Sequence, residues 1–442
     1  MATTLTLQIH AANRWNDAAT VTFADEAAGR HGPTTLDYDL DYCLTHDPDL
    51  TGTVIGHTAL SVRYPLSLEW RHSTHWPPFL LDLLPQGRPR EVLAATLGLD
   101  ANSPSCDAPL LRRAGGSPVG NIRVKEAWEA EQTRLLHFVP QGLKLDDVFN
   151  LDERFQTLAD AFAAQVSGSS GVQGAWPKVL LTQARDGLWY PDPLVADSEA
   201  KDHAIVKWIG DKHEATSLIL AAEAPYLELA RHFGLRCARP LLYRNGVLVM
   251  PRFDRQIQDD RVIRFGQESL TAASGIAAFG HETSHEAYLT VIKACCTDPA
   301  TEVTEYVLRD VLNLALGNPD NHGRNTALQK AKDGSIRLTP LFDFCPMRLD
   351  PTGIRRTTTW ACMRTAGRAS RDLSPDWNTV CDAAADGVMD QAELKASLAS
   401  KAEILRSLPA LARVIGVPAV VIERAMTRCE EIAATLDQLR IG

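Results

Sequence analysis

Between residues 317 and 328 the chain reads GNPDNHGRNTAL. Asp320, His322 and Asn325 fall in a run too polar for a core and too rich in Gly and Pro for a regular helix. The preceding YVLRDVLNLAL has helical, apolar periodicity, and the following SIRLTPLFDF is strand-like and brings in Asp343. Asp320 can orient a hydroxyl or accept its proton. The Asn325 amide oxygen and the Asp343 carboxylate are hard ligands, of the kind Mg²⁺ takes when phosphates and water complete its shell. The chemistry such a set serves is phosphoryl transfer, which asks for positioned charge and little covalent help. His322 fits beside them as a hydrogen bonder that orients the loop. Asx turns around Gly323 are the other use open to Asp320 and Asn325.

Transfer also needs a grip on a nucleotide. Lys207 lies inside the β-rich run AIVKW, an awkward place for a charge without a target, and Glu223 follows on a helix where it could hold that lysine. The stretch SGSSGVQG at 167–174 offers Ser169, Ser170 and Gly171, whose backbone N–H groups could cradle phosphate, and Lys178 lies just beyond. A strand lysine can equally be a snorkelling edge residue, and a Gly/Ser run simply a loop. The weight comes from the order. A glycine loop, a strand lysine, Asp-x4-Asn and then Asp-Phe is the order of a protein kinase, with Cys345 where the kinase pattern has glycine.

The elements that must carry these residues follow from periodicity. LTLQIH, ATVTF, TTLDYDL and ALSVRYPLSL read as half-buried strands, and residues 77–100 read as helical with interruptions at Pro85, Gly87 and Pro89. Asn245-Gly246 between two β-rich runs predicts a hairpin. Helices dominate after 256. At 442 residues the chain is too long for one ordinary core. The expected division is 1–150 as an N-terminal mixed α/β subdomain, 151–255 as a β-rich nucleotide-binding lobe, and 256–442 as a helical catalytic lobe. The fold class is α+β, protein-kinase-like and bilobal.

A net charge of −10 and a pI near 5.7 argue against a broad basic surface, so direct nucleic-acid binding is not expected. Nine Cys without C-x-x-C pairs read as reduced thiols. With no signal-like N-terminus and no run of about 18 apolar residues, the expected place is the cytoplasm, with no membrane partner. DAAADGVMDQAE at 382–393 imitates a calcium loop, but Ala384 stands where a carboxylate is needed. A helix end followed by an Asp-Gly turn is the plainer reading.

The chain resembles the HipA family of serine/threonine kinases, the toxin halves of bacterial toxin–antitoxin pairs. FLLDLLPQGRPREVLAATLGL, LLRRAGGSPVGNIRV, HAIVKW, YLELARHFGL, VLVMPRFDR, GNPDNHGRNTAL and IRLTPLFDF carry the resemblance, in order over roughly residues 50–350. It implies ATP and Mg²⁺ as cofactors. Lys207 would bind ATP phosphates, Asp320 would be catalytic, and Asn325 and Asp343 would hold the metal. Met250, Arg252 and Phe253 would line the adenine site through backbone groups, and Asp254 would face the ribose. The Gly/Ser loop would carry an autophosphorylated serine, with Ser169 and Ser170 as candidates. The implied partners are a protein substrate such as an aminoacyl-tRNA synthetase and a separately encoded, HipB-like DNA-binding antitoxin. Phosphorylation of a small molecule, or a binding module without activity, are the other readings of the same layout.

Overall fold

A computed structural model describes residues 2–136, 138–139, 141–162, 176–210, 213–366 and 375–440. The chain forms two compact units that interleave in sequence. Unit one comprises Met1–Gly210, Val249–Phe279 and Ala327–Ile336; unit two comprises Asp211–Leu248, Gly280–Thr326 and Arg337–Gly442. The boundaries expected at 150 and 255 both fall inside unit one.

Unit one opens with a five-stranded sheet in the order Arg71–Ser73, Thr34–Tyr38, Arg14–Phe23, Thr3–Ala11, Ile122–Val124, with every pairing antiparallel. Leu5, Leu7 and Ile9 alternate inward from Thr3–Ala11, as a half-buried strand requires. They share a core with Phe23, Trp76, Leu80 and Leu111. ALSVRYPLSL is not a strand. The carboxylate of Glu268 accepts from the Ser61 hydroxyl and the Val62 amide, and the only pairing in that stretch is an isolated Ser61–Tyr64 bridge. A second sheet sets Lys178–Ala184 between Trp189–Pro191 and Ala200–Trp208. The predicted hairpin forms: Asn245 and Gly246 both have positive φ between Leu242–Arg244 and Val247–Pro251.

Unit two is built on helices. Glu214–Phe233 runs through Pro225 and ends at Gly234, whose φ of 98° makes a left-handed cap. Pro299–Ala315 starts with Asp298 as N-cap and Pro299 in the first turn. Ala402–Val414 packs on Cys429–Asp437 and on Glu214–Phe233. Val303, Val307, Val311 and Leu312 bury one side of Pro299–Ala315. The calcium-loop imitation resolves as helix: Asp382 lies in Trp377–Ala385 and pairs with Lys395 at 2.7 Å, and Asp390 caps Gln391–Ala399. All nine cysteines are free. Among the described residues no helix is long and apolar enough to cross a membrane.

Candidate active site

The polar loop leaves the Pro299–Ala315 helix at a turn that only glycine fits. Gly317 has φ +70°, and a Cβ there would stand 2.6 Å from the Ala425 carbonyl oxygen. Asn318 then fastens the loop back to the helix. Its amide donates to Asn313 Oδ1 at 2.9 Å, and its own Oδ1 accepts from the Asp320 backbone N–H at 3.2 Å. Asn325 Nδ2 donates to the Asp320 carbonyl and to Asp320 Oδ2, at 3.0 and 3.3 Å. His322 Nε2 lies 3.3 Å from Asp320 Oδ1.

Asp320 and Asn325 are each 6% exposed. Burial, together with the nearby Asp343, pushes the Asp320 carboxyl above its ordinary range against the pull of His322. The Asn325 amide nitrogen is committed to Asp320, and its Oδ1 is buried without a hydrogen-bond partner. Asp343 is half-buried and holds φ +51°, a left-handed conformation that costs strain in a non-glycine residue. Phe344 behind it is fully buried, 5.7 Å from the Tyr226 ring, and the Tyr226 hydroxyl donates to the Leu316 carbonyl at the start of the loop. The strand expected to bring Asp343 back is short, Ile336–Leu338, and the chain turns after it.

These residues line one pocket in unit two, with about 460 Å³ of space counting what is open to solvent. Asp320, Asn325 and Asp343 are on its wall. Opposite them the sequence hid a second set. Tyr306, Arg309, Asp310 and Asn313 also line the pocket, at i, i+3, i+4 and i+7 of Pro299–Ala315, so they form one helical face. Asp310 accepts from Arg356 and, at 2.9 Å, from Trp360 Nε1; His285 lies 3.4 Å away and stacks on Trp360. Burial alone would raise the Asp310 carboxyl, but the charges of Arg356 and His285 hold it below the usual range. Four polar residues at helical spacing in an otherwise apolar run were the available signal.

In unit one, Lys207 is fully buried with its ammonium 4.4 Å from the centroid of the Trp176 ring. Lys178 is directly across the strands from Lys207 and is 4% exposed. Glu223 is buried on Glu214–Phe233 of unit two. Ser169, Ser170 and Gly171 lie outside the described residues.

The groups expected to face adenine and ribose at Arg252, Phe253 and Asp254 are engaged elsewhere. Arg252 donates from Nε and Nη2 to both oxygens of Asp254, and the Gly120 N–H also donates to Asp254. Both residues are under 5% exposed, inside a network with Asp192, His203 and Arg255. The Arg252 N–H is taken by the His203 carbonyl, and the Phe253 carbonyl accepts from Gln329. Asp254 and Arg252 are framework residues here: both Asp254 oxygens are taken, and Arg252 Nη1 is held only by the Asp192 carboxylate at 3.5 Å. Met250 stays half-buried at the end of its strand.

Fold and site together define an α+β protein of the protein-kinase type. The family of HipA-like C-terminal domains matches residues 170–408, more than half of the chain, and the chain belongs to that family. A Sinorhizobium fredii protein named "Putative kinase Y4mE" is 28% identical over 279 residues, which is 60% of this chain and 63% of that protein. This chain therefore matches somewhat under two thirds of that relative's length. Across the whole fold, a Shewanella oneidensis HipA, solved with HipB and operator DNA, superposes with a TM-score of 0.67 at 18% identity over 99% of both chains.

Proposed function

We propose that the protein is an ATP- and Mg²⁺-dependent protein serine/threonine kinase of HipA type. The observation that carries this reading is the convergence of a raised Asp320 carboxyl, an unpartnered buried Asn325 Oδ1 and the left-handed Asp343 on one pocket. The acceptor oxygen of Asn325 fits a hard cation, and Asp343 would be the carboxylate ligand. No cluster of three or more His, Cys, Asp or Glu arranged for a metal occurs among the described residues. That suits a Mg²⁺ whose remaining ligands are phosphate oxygens and water. Bound there, Mg²⁺ would neutralise charge on the phosphates.

The chain's own residues supply the rest. Asp320 would orient the attacking hydroxyl and take its proton as the new oxygen–phosphorus bond forms and the bond to ADP breaks. Its raised carboxyl makes it the stronger base. His322 would hold Asp320 in orientation. Lys207 and Lys178 would take the ATP phosphates; Glu223 is proposed as the acidic partner of Lys207 on sequence grounds. Met250 would contribute backbone groups toward adenine. Autophosphorylation at Ser169 or Ser170 is part of the same reading. So are a translation component such as an aminoacyl-tRNA synthetase as substrate, and a HipB-like partner of the kind seen in the Shewanella complex.

The test is transfer from γ-labelled ATP with Mg²⁺, comparing wild type with Asp320→Ala and Asp343→Ala. Label on the chain itself or on a protein of a bacterial lysate, lost in both variants, is the expected result. ATP binding without label on any protein would overturn the protein-kinase reading.

A further inference from the structure

We infer that Arg309, fixed by Glu305, is a positioning residue for the metal carboxylate Asp343. This rests on the proposed kinase reading and extends it to a residue outside the kinase pattern. Arg309 projects from the polar face of Pro299–Ala315 and is 3% exposed. Its Nε and Nη2 donate to Glu305 Oε1 at 3.0 and 2.8 Å, and Nη2 also donates to the Thr339 carbonyl at 2.6 Å. The same helix grips the chain one residue earlier, where the Leu338 N–H donates to Glu302 Oε2 at 3.0 Å. Arg236 completes the bracket: its guanidinium pairs with Glu302, and its carbonyl accepts from the Leu341 N–H at 2.7 Å. Residues 338–341 are thus held at three successive points, and Asp343 follows in its left-handed turn.

A purely structural role accounts poorly for this arrangement. Buried Arg–Glu pairs are often no more stabilising than apolar side chains of similar volume, and here the pair's geometric use is the one the contacts support. Asn313, one turn further along the same face, fixes the loop of Asp320 and Asn325 through Asn318. One helical face therefore sets the distance between the Asn325 oxygen and the Asp343 carboxylate. Arg309 Nη1 is buried without a hydrogen-bond partner, and the residue lines the pocket, so it keeps a donor at the site.

The experiment uses the full chain with Mn²⁺ and a non-hydrolysable ATP analogue, reading bound Mn²⁺ by electron paramagnetic resonance. The Mg²⁺ requirement of phosphate transfer is measured beside it. Arg309→Met should raise the half-saturating metal concentration about 10- to 100-fold, the usual cost of losing an outer-shell partner. Arg309→Lys should raise it less, because a cation can still reach Thr339, and metal-free nucleotide affinity should not move. Unchanged half-saturation in a folded Arg309→Met protein overturns the inference. If that variant does not fold, Arg309→Lys and Glu305→Gln decide on the same criterion. A wild type that binds no nucleotide with metal would bring down the kinase reading and this inference with it; a wild type that binds, with indifferent variants, brings down the inference alone.

Discussion

Two buried polar clusters, one in each unit, differ in how their bonds are spent. In unit one Asp254 accepts from Arg252 and Gly120, and Asp192 pairs with Arg255. Burial would raise both carboxyls, and the neighbouring guanidiniums hold them below their ordinary range. In unit two the Asp320 carboxyl is raised, Asn325 Oδ1 has no partner, and Asp343 holds a strained turn. In the first cluster every oxygen of Asp192 and Asp254 accepts a hydrogen bond, and only nitrogens such as Arg252 Nη1 and Arg255 Nε are left over, so it serves the framework. The second leaves acceptors open at a pocket, which costs stability and keeps chemistry available. Residue type alone does not separate the two, since each is built around a buried Asp with polar neighbours.

The sharpest way to break the contrast is to neutralise each cluster and compare activity with stability. Asp320→Asn should cut phosphate transfer about 100- to 10,000-fold, the range for a lost general base, while the melting temperature stays level or rises. Arg252→Met should do the reverse at equilibrium, costing about 3–5 kcal/mol in urea denaturation by leaving Asp254 uncompensated. The double variant Arg252→Met/Asp254→Leu should recover most of that loss. Acid should act on both units at once. Burial lowers His10 in unit one to about 3 and His285 in unit two to about 4, from 6.5. The unfolded chain binds more protons in between, so stability should be intact above about pH 6.5 and fall as pH drops toward 4. His285→Gln should flatten that slope in a melting series. The smallest effect concerns the calcium-loop imitation: Asp390→Ala should cost about 1 kcal/mol as a lost helix cap, and added Ca²⁺ should not shift the melting temperature.

That Asp320, Asn325 and Asp343 would meet at one pocket was legible because their spacing is local, within one short stretch of chain. The Asn245-Gly246 hairpin was legible for the same reason, being a backbone requirement met by its own residues. What the sequence concealed is long-range. ALSVRYPLSL has strand periodicity, but Glu268, some 200 positions away, takes its ladder groups. Arg252 and Asp254 look like nucleotide contacts until Gly120 and Asp192 are seen beside them. Arg309 and Asp310 sit in a helix that reads as core, and only Thr339, Arg356 and Trp360 reveal their direction.

The interleaving of the units has a consequence for how the chain is made. Unit one ends with Ala327–Ile336, whose strand Ala327–Lys330 pairs with Gly266–Ser269 and sends the Lys330 ammonium to the carbonyls of Ala59 and Leu60. During synthesis the strand Gly266–Ser269 of unit one must therefore wait for a partner translated later, after the first two segments of a second unit. Non-local pairing of this kind is slow, and the unpaired strand is exposed while it waits. Ribosome-bound chains stopped before residue 327 should be far more open to protease in unit one than chains released past residue 336.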